Sequence, residues 1–212
     1  MEVANNEKFR IERLELGPFG TNAYIVVCRA TGASVLVDAP DDPEAILGKL
    51  GGTSPQAILM THNHFDHFGA LARVKSALGV PVAAHLADAA GLPVSPDLLL
   101  EQGGEVPLGG TRLQVLHTPG HTPGSLAFVL GSHLLSGDTL FPGGPGKTAS
   151  PAHFKQIVES ITGRIFCLPD DTQVHPGHGG STELGREKRA VERFLARPHR
   201  DDLCGDVLWD SP

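Results

Sequence analysis

The stretch "THNHFDHFGA", Thr61–Ala70, sets three histidines and an aspartate within His62–His67. It follows "QAILM" (Gln56–Met60), a short apolar run that reads as a buried strand. It runs into "FGALARVKSALG", whose apolar spacing is helical and stops at Gly79. In an extended segment alternate residues face one way, so His62, His64 and Asp66 are expected on one side of the loop. His67 faces elsewhere until the helix turns the chain. Two convergent imidazoles and a carboxylate, with a fourth ligand offset from them, suit zinc, iron or manganese. A polar helix cap with solvated histidines would account for one such residue, but not for the set.

One cluster does not close a metal site, and three more segments offer partners. "HTPGHTPGS" (His117–Ser125) follows the strand-like "LQVL", and its Pro-Gly turn presents His121; His117 is a structural or supporting residue. "LLSGDTLF" (Leu134–Phe141) places Asp138 just after an apolar run. "VHPGHGG" (Val174–Gly180) repeats the strand and Pro-Gly turn and presents His178. An aspartate after a glycine is usually a turn residue. Four such segments at strand ends in one chain are a stronger signal than any one alone.

The rest of the chain supplies the scaffold. "FRIERLEL" (Phe9–Leu16) alternates, and "AYIVVCR" and "ASVLVDA" are β-branched apolar runs. "DPEAILGKL" reads as a short helix with Asp42 as N-cap and Pro43 in its first turn. "VPVAAH", "TRLQVLHT", "SLAFVL" and "HLLSGD" are further strands, separated by Gly and Pro turns. "PAHFKQIVESITG" and "TELGREKRAVERFLAR" read as helices, the second with Thr182 as N-cap. The Pro/Gly-rich stretch from Leu86 to Pro107 and the tail after Pro198 yield no assignment. Strands arrive in two batches interleaved with helices, which predicts two sheets flanked by helices.

Bulk properties narrow the class. The chain of 212 residues is 40% hydrophobic and 19% charged, which suits a folded single domain over residues 1–212. A formal net charge of -7 argues against nucleic acid as the main partner. Cys28, Cys167 and Cys204 are odd in number and widely spaced, as expected in a reducing compartment. The start, "MEVANNEKFR", has no basic segment leading into an apolar run, and no apolar stretch reaches membrane-spanning length. A cytoplasmic protein without a membrane partner is the expectation; the oligomeric state is not readable.

"HNHFDH", "TPGHTPGS", "SGDTLF" and "PGHG" together resemble the metallo-β-lactamase-fold hydrolases. The resemblance runs from "GTNAYIV" to "GREKRAVERFL" and implies an α/β fold, the four-layer αββα sandwich, with metals at one edge between the sheets. It implies one metal on His62, His64 and His121, and a second on Asp66, His67 and His178. Asp138 would bridge them, and Asp38 in "VLVDAP" would support the site loop. Two divalent ions are implied, most simply zinc, with iron and manganese as alternatives. Asp66 and Asp138 are the expected catalytic carboxylates.

Within that superfamily the shared aspartate and "GHGGSTELGREK" are similar to the glyoxalase II-type thioesterases. "LFPGGPGKT" (Leu140–Thr148) resembles their loop whose lysine contacts the glutathione part of the substrate, which places Lys147 in a substrate-binding role. The aromatic neighbour of that loop is absent, as Thr148 and Ala149 follow, and no helical C-terminal domain is expected after the closing helix. The implied substrate is a small-molecule thioester or ester. Metal binding lowers the pKa of water from about 15.7 towards about 7, so neither a serine nor a cysteine nucleophile is required. A lactonase and a single-iron persulfide dioxygenase are the alternatives on this scaffold.

Overall fold

The computed structural model describes residues 1–210. Its first sheet has seven strands in the spatial order β1 (Glu2–Asn5), β2 (Phe9–Leu16), β3 (Thr21–Cys28), β4 (Ala33–Val37), β5 (Ser54–Leu59), β6 (Val82–Ala84) and β7 (Leu98–Leu99). The first four strands pair antiparallel, and β4 to β7 run parallel. Parallel neighbours need crossovers. These are α1 (Pro43–Leu50), the pair α2 (Phe65–Phe68) and α3 (Leu71–Leu78), and α4 (Leu86–Ala89).

The second sheet begins with β8 (Glu105–Leu108), β9 (Thr111–His117), β10 (Leu126–Leu130) and β11 (His133–Gly137). A small hairpin, β12 (Leu140–Phe141) and β13 (Gly144–Pro145), follows, then α5 (Pro151–Ser160) and a π-turn at Ile161–Ile165. β14 (Gln173–Pro176) and β15 (Thr182–Glu183) return to the sheet before α6 (Leu184–Leu195) closes the chain. The order across this sheet is β15-β14-β11-β10-β9-β8, with β11 and β14 parallel.

Three apolar layers hold the sandwich. Between the sheets, Ile11, Tyr24, Val26, Val35 and Leu59 meet Leu108, Leu113, Val115, Phe128 and Leu135. Outside the first sheet, Ile25, Leu36 and Ile58 pack on Ile46 of α1 and on Leu71 and Val74 of α3. Outside the second, Ala127, Leu134 and Val174 pack on Ile157, Ile161, Val191, Phe194 and Trp209. This is why every residue of β3 is buried: Tyr24 and Val26 face the other sheet while Ala23 and Ile25 face helices. The expected four-layer αββα arrangement is therefore observed.

Three local expectations are corrected. The helix read from "FGALARVKSALG" forms as α3 and stops at Gly79 as expected, but it starts only at Leu71, because the chain must pass close to Ala39 and Pro40. Ala39 donates to the His67 carbonyl, Ala70 donates to the Ala39 carbonyl, and a Cβ on Gly69 would lie 2.4 Å from the Pro40 carbonyl oxygen. Asp66 is not in an extended segment; it sits with His67 in the single turn of α2, so the alternation ends at His64. Thr182 does not cap α6. It lies in β15, and its hydroxyl donates to the buried Glu187 carboxylate at 2.7 Å, while Glu183 holds the N-cap position. Asp42 does cap α1, accepting from the Ala45 amide at 3.0 Å.

Candidate metal centre

The strand ends carry the site. Asp38 follows β4, the His62–His64 loop follows β5, His121 sits on the turn after β9, Asp138 follows β11, and His178 follows β14. Because β4 runs with β5 and β11 with β14, their C-terminal ends deliver these loops to one edge of the sandwich. There the side chains form three overlapping groups whose ligand atoms lie within 4.8 Å of one another: His62, His64 and His121; His62, His67 and Asp138; and Asp66, His67 and His178. All seven residues expected as ligands are brought together.

The outer ring nitrogens are occupied, which aims the inner ones at the centre. His67 Nδ1 donates to Asp38 Oδ2 at 2.8 Å, His121 Nδ1 to the Lys147 carbonyl at 2.8 Å, and His178 Nδ1 to the Phe19 carbonyl at 3.2 Å. The Thr61 hydroxyl spends its one proton on Asp38 Oδ2 at 2.7 Å. The 3.0 Å contact between Thr61 Oγ1 and His62 Nδ1 therefore has the ring as donor. Each of these histidines then offers Nε2 inward. His67 Nε2 stands 3.3 Å from His178 Nε2 and 3.3 Å from Asp138 Oδ1, and His178 Nε2 stands 3.2 Å from Asp66 Oδ2.

Three buried polar atoms at this focus have no hydrogen-bond partner: His62 Nε2, His121 Nε2 and Asp138 Oδ1. An orphaned buried acceptor is costly, and metal binding would satisfy these atoms. The titration behaviour agrees. Burial, reinforced by neighbouring histidines, holds His62 well below the usual imidazole range, the neutral form that a ligand must have. Burial would also lower His67, but the charges of Asp138 and Asp38 outweigh it and raise that ring to about 10. Burial pushes Asp138 up, and the positive charge of His67 overcomes it, so the carboxylate stays ionised.

Supporting residues complete the frame, Asp38 expected from the sequence and Thr21, Asp88 and Gly177 not. Asp38, in the left-handed region at φ 60°, accepts from the Thr61 amide at 2.8 Å, the Thr61 hydroxyl and His67, so one carboxylate ties the β5 loop to α2. Thr21 donates to Asp66 Oδ2 at 3.2 Å. Asp88 of α4 is buried and accepts from the Thr122 hydroxyl at 2.6 Å and the Gly124 amide at 2.8 Å, which pins the turn bearing His121. Gly177 must lack a side chain, as a Cβ there would lie 2.0 Å from Asp138 Oδ1. His117 makes no part of the cluster; its Nε2 donates to the Pro123 carbonyl at 2.9 Å and its ring stacks on His85. Lys147 lies at the mouth, its Nζ 3.6 Å from Asp206, beside a cavity of about 320 Å³ floored by His121, Asp138 and His178.

A two-sheet sandwich with a His/Asp centre at its strand ends, able to hold one or two metal ions, defines a metal-dependent hydrolase. The family model described as "Metallo-beta-lactamase superfamily" matches residues 16–192, and the chain belongs to that superfamily. It is similar to a hydroxyacylglutathione hydrolase of Anaeromyxobacter dehalogenans, 41% identical over 76% of this chain and spanning 62% of that protein's length. Among solved structures it resembles the B3 metallo-β-lactamase BLEG-1, with a TM-score of 0.78, 32% identity and coverage of 84% and 96% of the two chains. It also resembles TTHA1623 in a di-iron-bound form, with a TM-score of 0.72, 39% identity and coverage of 84% and 97%. Among the described residues no helix is long and apolar enough to cross a membrane.

Proposed function

We propose that the chain is a thioesterase of the glyoxalase II type, hydrolysing a small acyl-thiol thioester to a carboxylic acid and a free thiol. The observation that carries this reading is the set of unpartnered buried atoms in the centre, His62 Nε2, His121 Nε2 and Asp138 Oδ1, with His121 and Asp138 on the floor of an open cavity. The similarity to a hydroxyacylglutathione hydrolase supports the choice of substrate class.

In this reading His62, His64 and His121 would hold one divalent ion, Asp66, His67 and His178 would hold a second, and Asp138 would serve as a ligand beside them; zinc is the first choice. Such ions supply Lewis-acid polarisation of a carbonyl and activation of water at neutral pH. The chain's own groups do the rest. Asp38 fixes the ring plane of His67, and the Lys147 carbonyl fixes that of His121. Asp66 and Asp138 are the acceptors that would orient the proton of the attacking water. The thiol, with a pKa of about 8.5, leaves without a dedicated acid. Lys147 meets a carboxylate on the thiol part of the substrate.

The test is turnover of S-lactoylglutathione by protein whose metals are counted on the same sample. Fast turnover with near two metals per chain is expected. No turnover with one iron per chain, and oxygen uptake with a persulfide, would replace this reading with a dioxygenase. The likeness to BLEG-1 favours lactam hydrolysis as the second reading. Nitrocefin cleavage faster than thioester cleavage would establish it.

A further inference from the structure

The cavity above the centre has a wall that lies beyond residues 16–192, the part matched by the family model. The chain leaves α6, turns back through Arg197–Leu203 and lies along the loop that carries Lys147. Gly205 and Thr148 exchange backbone bonds, Gly205 to Thr148 at 2.9 Å and Thr148 to Gly205 at 3.2 Å. The Trp209 amide donates to the Gly143 carbonyl at 2.8 Å, and Arg197 donates to the Trp209 carbonyl at 2.6 Å. Burial alternates along this stretch. Val207 and Trp209 sink into the layer outside the second sheet, while Asp206 and Leu208 stay exposed beside the cavity. The opposite loop is shaped to receive it, as a Cβ on Gly144 would lie 2.6 Å from the Val207 carbonyl.

We infer that this C-terminal segment is the outer wall of the substrate pocket, and that Asp206 is a specificity-determining residue. Asp206 Oδ2 lies 3.6 Å from Lys147 Nζ, and both side chains are mostly exposed, at 79% and 69%. Such a pair is weak and readily exchanged for ligand groups. A lone lysine at the mouth would favour any anion. Lysine beside aspartate instead presents a positive and a negative point a few ångströms apart. That mouth accepts a dipolar thiol part, its carboxylate on Lys147 and its ammonium on Asp206, and gains little from a polyanionic one. The inference rests on the thioesterase reading for its substrate class, and deepens it by naming the group that reads the leaving thiol.

The test uses the metal-loaded full chain and one acyl group on three leaving thiols: acetyl thioesters of mercaptopropionate, thiocholine and mercaptoethanol, which are anionic, cationic and neutral. Rates on the neutral thioester report general damage, and the other two are expressed as ratios to it. Asp206→Asn is expected to raise the anion ratio about threefold and lower the cation ratio about threefold, in KM rather than kcat. Lys147→Met is expected to move both ratios the other way. Ratios unchanged in Asp206→Asn, or moved alike for anion and cation, would overturn the inference. If the wild-type chain cleaves none of the three at full metal content, the thioesterase reading fails on its own. The S-methyl ethers of the same thiols are then titrated by NMR. Opposite shifts in anion and cation affinity between Asp206→Asn and Lys147→Met would still support the charge-reading wall, and equal shifts would refute it.

Discussion

At the scale of single residues, the centre depends on carboxylates that do two jobs. Asp138 offers an unpartnered oxygen to the focus and balances the charge on His67. Asp138→Asn keeps the shape and removes the charge, so loss of at least one metal per chain and of most turnover is expected, read by elemental analysis on the assayed sample. Asp38 never faces the focus, yet it receives three hydrogen bonds, from Thr61 and His67. Asp38→Ala leaves those buried donors unmet, at about 1–3 kcal/mol of stability. It also frees the His67 ring, and metal affinity should fall about 10- to 100-fold. Denaturant midpoints and a chelator competition separate the two effects. The gathering of the seven expected ligands was legible because each stands in a short motif at the end of an apolar run. Asp38 was only half legible, since its partners Thr61 and His67 meet it through a parallel strand pair that spacing cannot reveal.

At the scale of elements, the turns rather than the strands decide the geometry. The His121 turn is held from behind by α4, where Asp88 grips Thr122 and Gly124. Asp88→Asn can accept from one partner but not match both charge-assisted bonds, so a weakened metal at the His121 side is expected, with little change in the far-UV spectrum. This brace is not legible in the sequence: Leu86–Pro107 carries no periodic pattern, and α4 is a single turn. Helix starts were read from side-chain type alone, which succeeded at Asp42 and failed at Thr182, whose hydroxyl is taken by Glu187. The same Glu187 accepts from the Gly143 amide at 2.9 Å, so α6 is tied to the loop that carries Lys147. Gly177→Ala places a methyl where Asp138 Oδ1 stands, and a folded chain that loads less metal is expected.

At the scale of the whole molecule, two helix-backed sheets share one apolar interior, and the site lies where their strand ends meet. That arrangement was legible because two batches of strands need two sheets. The C-terminal wall was not, because "DVLWD" has too few residues to show a period and its apolar side chains dock on a face formed by distant helices. Below the centre, His175 is buried against Tyr24, bonded to His133 at 3.0 Å and to Ser181 at 2.7 Å. Burial first, and the neighbouring His133 second, lower His175 to about 4 from an ordinary value of 6.5. A depressed folded pKa means that the unfolded chain binds the proton more readily. Stability is therefore complete above pH 6.5 and is lost as pH falls towards 4, at up to about 1.4 kcal/mol per pH unit. His175→Gln should flatten that slope in denaturant titrations across the window.

The most direct test of the account is to strip the chain with a chelator, restore one divalent metal at a time, and follow thioester turnover against metals bound, with Asp138→Asn in parallel. The expected result is no turnover in stripped protein, recovery that tracks bound metal, and little recovery in the variant. Full turnover without metal, or full metal and full turnover in Asp138→Asn, would contradict a metal-dependent hydrolase built on this centre.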